Sequence, residues 1–70
     1  MIKSMTVEEI KEMEFENNVK EIVSYYIEVL KKGESIQFRM KYTEKGNYLQ
    51  IFKYDKKLYR YILEEKIKVS

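Results

Sequence analysis

The chain has no cysteine, no histidine, no proline and no tryptophan, and only two glycines. Without cysteine there is no disulfide and no thiolate nucleophile. Without histidine there is no ready general base near neutral pH. With both soft ligand types missing, no zinc site is expected. Gly33 and Gly46 are too isolated to build a phosphate-cradling loop. Ser4, Ser24, Ser35 and Ser70 sit in no nucleophile-elbow context. Glu64 and Glu65 are adjacent, and neighbours on a strand point to opposite faces. Glu8, Glu9, Glu12, Glu14 and Glu16 read as a solvated helical face, since hard cations need carboxylates converging from a turn or several elements. The expectation is a chain that is not an enzyme, with no metal, no cofactor and no small-molecule substrate.

Long apolar runs are missing too. The N-terminal MIKSMTVEEI lacks the core of a signal peptide, and IVSYYIEVL at 22–30 falls far short of a membrane span. Together with the missing cysteines, this gives a soluble, cytoplasmic reading without membrane contact. Residue usage rich in Lys, Ile and Tyr fits an A+T-rich source genome.

Seventy residues make one small domain, 1–70, near the lower size limit for independent folding. A chain this size buries only about 60% of its unfolded surface, so it needs dense packing or a partner subunit. Its seven Tyr and three Phe supply large apolar areas for dense packing. Hydrophobic residues make up 44% and are patterned, which argues against disorder.

Net charge is +2, a weak pull on any polyanion, but its distribution is uneven. Residues 1–35 carry eight acids and five bases, whereas residues 36–70 carry four acids and nine bases. An acidic helix beside a basic sheet follows from this split.

TVEE at 6–9 is a capping box, flanked by Met5 and Ile10 at the positions of a hydrophobic staple. Lys31, Lys32 and Gly33 form a stop signal. The helix therefore spans about 7–32. Phe15, Val19, Ile22, Val23, Tyr26 and Leu30 make its apolar stripe at 100° per residue. Ile10 and Met13 are out of phase with that stripe. Either the helix breaks near 14–18, where Asn18 and Glu21 offer a second capping box, or Val7, Ile10 and Met13 dock on another copy of the chain.

Residues 35–43 alternate, with Ile36, Phe38, Met40 and Tyr42 on one side and Gln37, Arg39 and Lys41 on the other. TEKG at 43–46 suits a type I turn closed by a left-handed glycine, which sets Thr43 opposite Asn47. That register turns Tyr48, Phe52 and Tyr54 toward the helix. A second turn at Asp55–Lys56 then places Tyr59, Tyr61 and Leu63 on the same aromatic face. The fold expected is α+β: an N-terminal helix packed on a three-stranded antiparallel meander.

In this register the other sheet face carries Arg39, Lys41, Leu49, Ile51, Lys53, Leu58, Arg60 and Ile62. Aliphatics rimmed by cations resemble a protein-binding surface. The tail at 64–70 either folds over this patch with Ile67 and Val69 or extends the third strand through Val69. The expected role is a small non-catalytic interaction protein, an adaptor, inhibitor or regulator of the genre found in phages and mobile elements. Its expected partner is a protein, including a second copy of itself. A two-residue turn at Lys45-Gly46 shifts the register by one and reverses the picture. Leu49 and Ile51 then enter the core, and Tyr48, Phe52 and Tyr54 face out among Arg39 and Lys41, as in an RNA or single-strand binder.

Overall fold

The computed structural model describes all 70 residues, Met1–Ser70. In chain order the elements are β1 (Ile2–Met5), α1 (Val7–Glu12), α2 (Asn17–Lys31), β2 (Ile36–Thr43), β3 (Gly46–Asp55) and β4 (Arg60–Lys68). The strands form one antiparallel sheet in the order β1-β2-β3-β4, with the helices packed on one side. The class is α+β, but the sheet has four strands where the sequence suggested three. No helix is long and apolar enough to cross a membrane.

The additional strand is β1, which pairs Ile2 with Lys41 and Met5 with Phe38. The Met1 ammonium donates to the Tyr42 carbonyl at 3.0 Å, and the Tyr42 N–H donates to Met1 O at 2.8 Å. Four residues are too few for alternation to show. The pairing comes from the free edge of β2, which lies far away in sequence.

The capping box forms as expected. Glu9 N–H donates to Thr6 Oγ1 at 3.1 Å, and Thr6 N–H donates to Glu9 Oε1 at 3.0 Å. Helix α1 then stops at Glu12, because Met13 takes an extended backbone with ψ 141°. Helix α2 begins after Glu16, also extended, whose side chain makes no cap hydrogen bond. The break thus falls at 13–16, and Asn18 lies inside α2 rather than capping it. Four non-helical residues rephase the chain, so both helices address the same core. Ile10 is 1% exposed, and Val7 and Met13 pack against the core beside it. This corrects the reading of Val7, Ile10 and Met13 as a dimer contact: their cover comes from their own chain. Helix α2 ends as the stop signal indicates. Gly33 takes φ 99°, its N–H donates to Leu30 O, and the Glu34 N–H donates to Val29 O.

The β2–β3 hairpin overturns the glycine-bulge register. Thr43 pairs with Gly46, leaving Glu44 and Lys45 as a two-residue turn. Neither turn residue has a positive φ, so the unusual backbone falls on Gly46 at φ 141°. Further along, Met40 pairs with Leu49, Arg39 with Gln50, Phe38 with Ile51 and Gln37 with Phe52. Leu49 and Ile51 are therefore 0% exposed, at the centre of the core with Ile10, Val19, Val23, Tyr26, Ile27, Phe38 and Met40. Energetics favour this choice. Each aliphatic side chain gains about 1.5–3 kcal/mol on full burial, with no polar atom to satisfy. A tyrosine turned inward must also find a partner for its hydroxyl.

The β3–β4 connection is longer than the expected two-residue turn. Asp55 pairs with Arg60, and residues 56–59 form the loop. Strand β4 runs out along the edge rather than folding over the sheet, and Val69 N–H still donates to Asn47 O at 2.8 Å. It carries one irregularity: Phe52 pairs with Leu63 but Ile51 pairs with Glu65, so Glu64 is an extra residue. Beyond this bulge Ile67 and Val69 pack against the core.

Candidate functional site

With Leu49 and Ile51 inward, the sheet face away from the helices can be read from the pairing, row by row. The first row is Ile2, Lys41, Tyr48 and Lys68. The second is Ser4, Arg39, Gln50 and Lys66. The third is Gln37, Phe52 and Leu63, and the last is Tyr54 with Tyr61. The four cations stand in the first two rows, with Tyr48 among them, while Phe52, Tyr54 and Tyr61 carry the rings on through the last two, and no carboxylate stands in any row.

The side chains on this face are interlocked. The Arg39 guanidinium carbon lies 4.5 Å from the centre of the Phe52 ring, and Nη2 donates to Gln37 Oε1 at 2.9 Å. Arg39 Nε is buried with no acceptor. The Lys66 ammonium lies 5.1 Å over the Tyr48 ring. Tyr54 and Tyr61 meet edge to face, with centroids 5.3 Å apart and planes at 74°. Gln50 is walled in by these neighbours and is only 9% exposed. The rings are held in place and remain half-exposed.

The carboxylates stand away from the open face. Glu8, Glu12, Glu14, Glu16 and Glu21 lie exposed on the helical side. The ion pairs are Lys3 with Glu9 at 3.4 Å and Lys31 with Glu28 at 3.3 Å. Neither involves a cation of the open face. Arg39, Lys41, Lys66 and Lys68 are left without carboxylate partners in ion-pair contact.

The extra residue in β4 helps keep carboxylates off the open face. Glu64 turns to the helix side, where its carboxylate accepts a hydrogen bond from the Tyr26 hydroxyl at 3.1 Å. Burial, followed by this bond to the carboxylate, pushes the Tyr26 phenol up to about 12. On α1, the Thr6 backbone N–H holds the Glu9 carboxyl below its ordinary value, with help from the Thr6 hydroxyl and Lys3.

Of the partner-face residues expected from the sequence, the structure brings only Arg39 and Lys41 together on the open face. Leu49 and Ile51 lie in the core. Lys53 stands on the helix side between Ile36 and Ile62, and Ile62 is half-buried there. Leu58 is in the β3–β4 loop, 55% exposed, and Arg60 faces Asp55 at the base of that loop. These positions do not form one surface. The register error also left out Tyr48, Gln50, Phe52, Tyr54, Tyr61, Leu63, Lys66 and Lys68. One signal for the last two was available, because the aliphatics of β4 change parity between Ile62 and Ile67.

No protein-family model, curated protein or solved structure matches the chain.

Proposed function

We propose that this chain is a small non-catalytic binding module, and that its open sheet face takes single-stranded nucleic acid. The observation that carries the reading is a face free of carboxylates on which Tyr48 and Phe52 contact Lys66 and Arg39, with Lys41 and Lys68 beside Tyr48 and with Tyr54 and Tyr61 continuing the line of rings. Each ring can stack an unpaired base, an interaction of about 1–3 kcal/mol per base that tolerates any sequence. The lysines lie where phosphates would run between stacked bases. Arg39, planar and already stacked on Phe52, extends the apolar platform and carries charge at the same time. Because stacking tolerates every base, the reading is of general rather than sequence-specific binding. Cytoplasmic location goes with this proposal.

A salt titration with labelled oligouridine and oligothymidine tests it. Affinity should fall linearly on logarithmic axes as salt rises, with a slope of about −0.7 per phosphate contacted. Phe52→Ala and Tyr48→Ala should weaken binding while thermal stability changes little. Unchanged affinity in both variants would remove the proposal.

A second reading uses the same face for protein contact, including self-association. Ile2 and Leu63 favour it, standing 56% and 43% exposed at opposite margins of the face. It predicts a dimer or a complex that survives high salt, which sedimentation measures directly.

A further inference from the structure

The β3–β4 loop closes on an unusual residue for its backbone. Tyr59 has φ 53°, the only non-glycine residue in the chain with a positive φ. Glycine, asparagine or aspartate ordinarily fills such a place, since a bulky side chain crowds its own backbone there. The Tyr59 ring gains nothing evident from this conformation, being 81% exposed. The backbone around it is nevertheless fixed: the Asp55 carboxylate accepts from Lys57 N–H at 2.8 Å and Leu58 N–H at 2.9 Å. The loop's carboxylate is thus turned onto the loop backbone, while Lys56, Lys57 and Arg60 are exposed. The loop also continues from the row where Tyr54 and Tyr61 end the platform.

Resting on the single-strand reading above, we propose that this loop is a second, separable part of the same site. A strand that has run past Tyr54 and Tyr61 places its next base on Tyr59 and its phosphates beside Lys56 and Lys57. The cost in backbone conformation maintains an exposed ring next to the end of the platform, with Lys56 and Lys57 beside it to meet a phosphate, in a hollow they share with Glu34, Asp55 and Glu64. A strained residue of this kind often marks a functional position rather than a structural one.

The test uses the full chain and oligouridines of graded length, from about 4 to about 12 nucleotides, the range single-strand sites span. Tyr59→Gly should retain or raise thermal stability, because glycine accepts this backbone freely. It should leave the shortest oligonucleotide unaffected and weaken the longer ones by about fivefold or more, within the range of a lost stacking contact. Tyr59→Phe should restore wild-type affinity. Replacing Lys56 and Lys57 with Gln should flatten the salt dependence for long oligonucleotides alone.

Wild-type affinity of Tyr59→Gly at every length overturns the proposal while leaving the platform intact, provided that Phe52→Ala still weakens binding. Failure of the wild-type chain to bind any oligonucleotide overturns both. Anionic vesicles form the remaining arm. Tyr59-dependent binding to vesicles, with no Tyr59 effect on oligonucleotides, would assign the loop to a membrane surface and overturn the proposal.

Discussion

The Arg39 guanidinium lies over the Phe52 ring, 4.5 Å from carbon to centroid, although the residue paired with Arg39 across the strands is Gln50. The contact is therefore diagonal, between neighbouring rows of the open face, and it joins a cation to an aromatic ring. Lysine cannot reproduce it, having neither the plane to stack nor a second nitrogen to reach Gln37. Arg39→Lys should leave the melting temperature nearly unchanged and lower single-strand affinity by about twofold to fivefold, given a cation–π contribution of about 0.5–1 kcal/mol between the guanidinium and a stacked base. Fluorescence polarisation with a labelled oligouridine measures the loss.

Leu49 and Phe52 lie on opposite sides of the same strand, so truncating each should affect a different property. Leu49→Ala should cost about 2–5 kcal/mol of stability, the range for a buried leucine. Phe52→Ala should cost clearly less, because Phe52 is half-exposed. Urea denaturation of the two variants distinguishes them, and an equal or reversed order would mean that the rings lie inside.

Gly46 is required by space as well as by backbone angle. A methyl group there would lie 2.5 Å from Ser70 O and 2.6 Å from Lys68 Cε, on a backbone with φ 141°. The Lys68 side chain can swing aside, but Ser70 O is held by the Asn47 N–H at 3.0 Å. Gly46→Ala should therefore release the C-terminal end of β4 and destabilise the fold by about 1–3 kcal/mol, the scale of a strained backbone position. Hydrogen exchange should show loss of protection at Asn47 and Val69 before the rest of the sheet.

Tyr26 makes stability sensitive to alkaline pH. Its folded value is raised from 10 to about 12, so folding favours the protonated phenol. The stabilisation is complete below pH 10, where folded and unfolded chains are both protonated, and disappears as pH climbs through about 12. Tyr26→Phe should remove this component. Denaturation midpoints of the two proteins, compared across that window, should converge as pH rises.

The sequence made several elements readable. Thr6 and Glu9 marked the start of α1, Gly33 marked the end of α2, and the alternation from Ile36 to Tyr42 marked β2. All of these are local signals, complete within a few residues. What was missed depended on partners distant in sequence. Strand β1 is too short to show a pattern and exists because β2 offers an edge. The hairpin register turned on whether TEKG closes with two residues or three, a one-residue difference that exchanges the two faces of every strand beyond it. Turn chemistry favoured three, through the glycine. Burial of Leu49 and Ile51 favoured two and outweighed it. The site was hidden for the same reason, since an aromatic-rich alternation suits a core and a stacking platform equally well until the register is known.

The bulge in β4 has an electrostatic consequence. Had that strand paired without Glu64 as a supernumerary residue, Glu65 and Ile67 would look outward where Lys66 and Lys68 now do. A negative group would then sit at the middle of the exposed surface, and an aliphatic one beside Tyr48. The sign of the potential that this sheet shows to solvent thus turns on whether the count along one edge is odd or even.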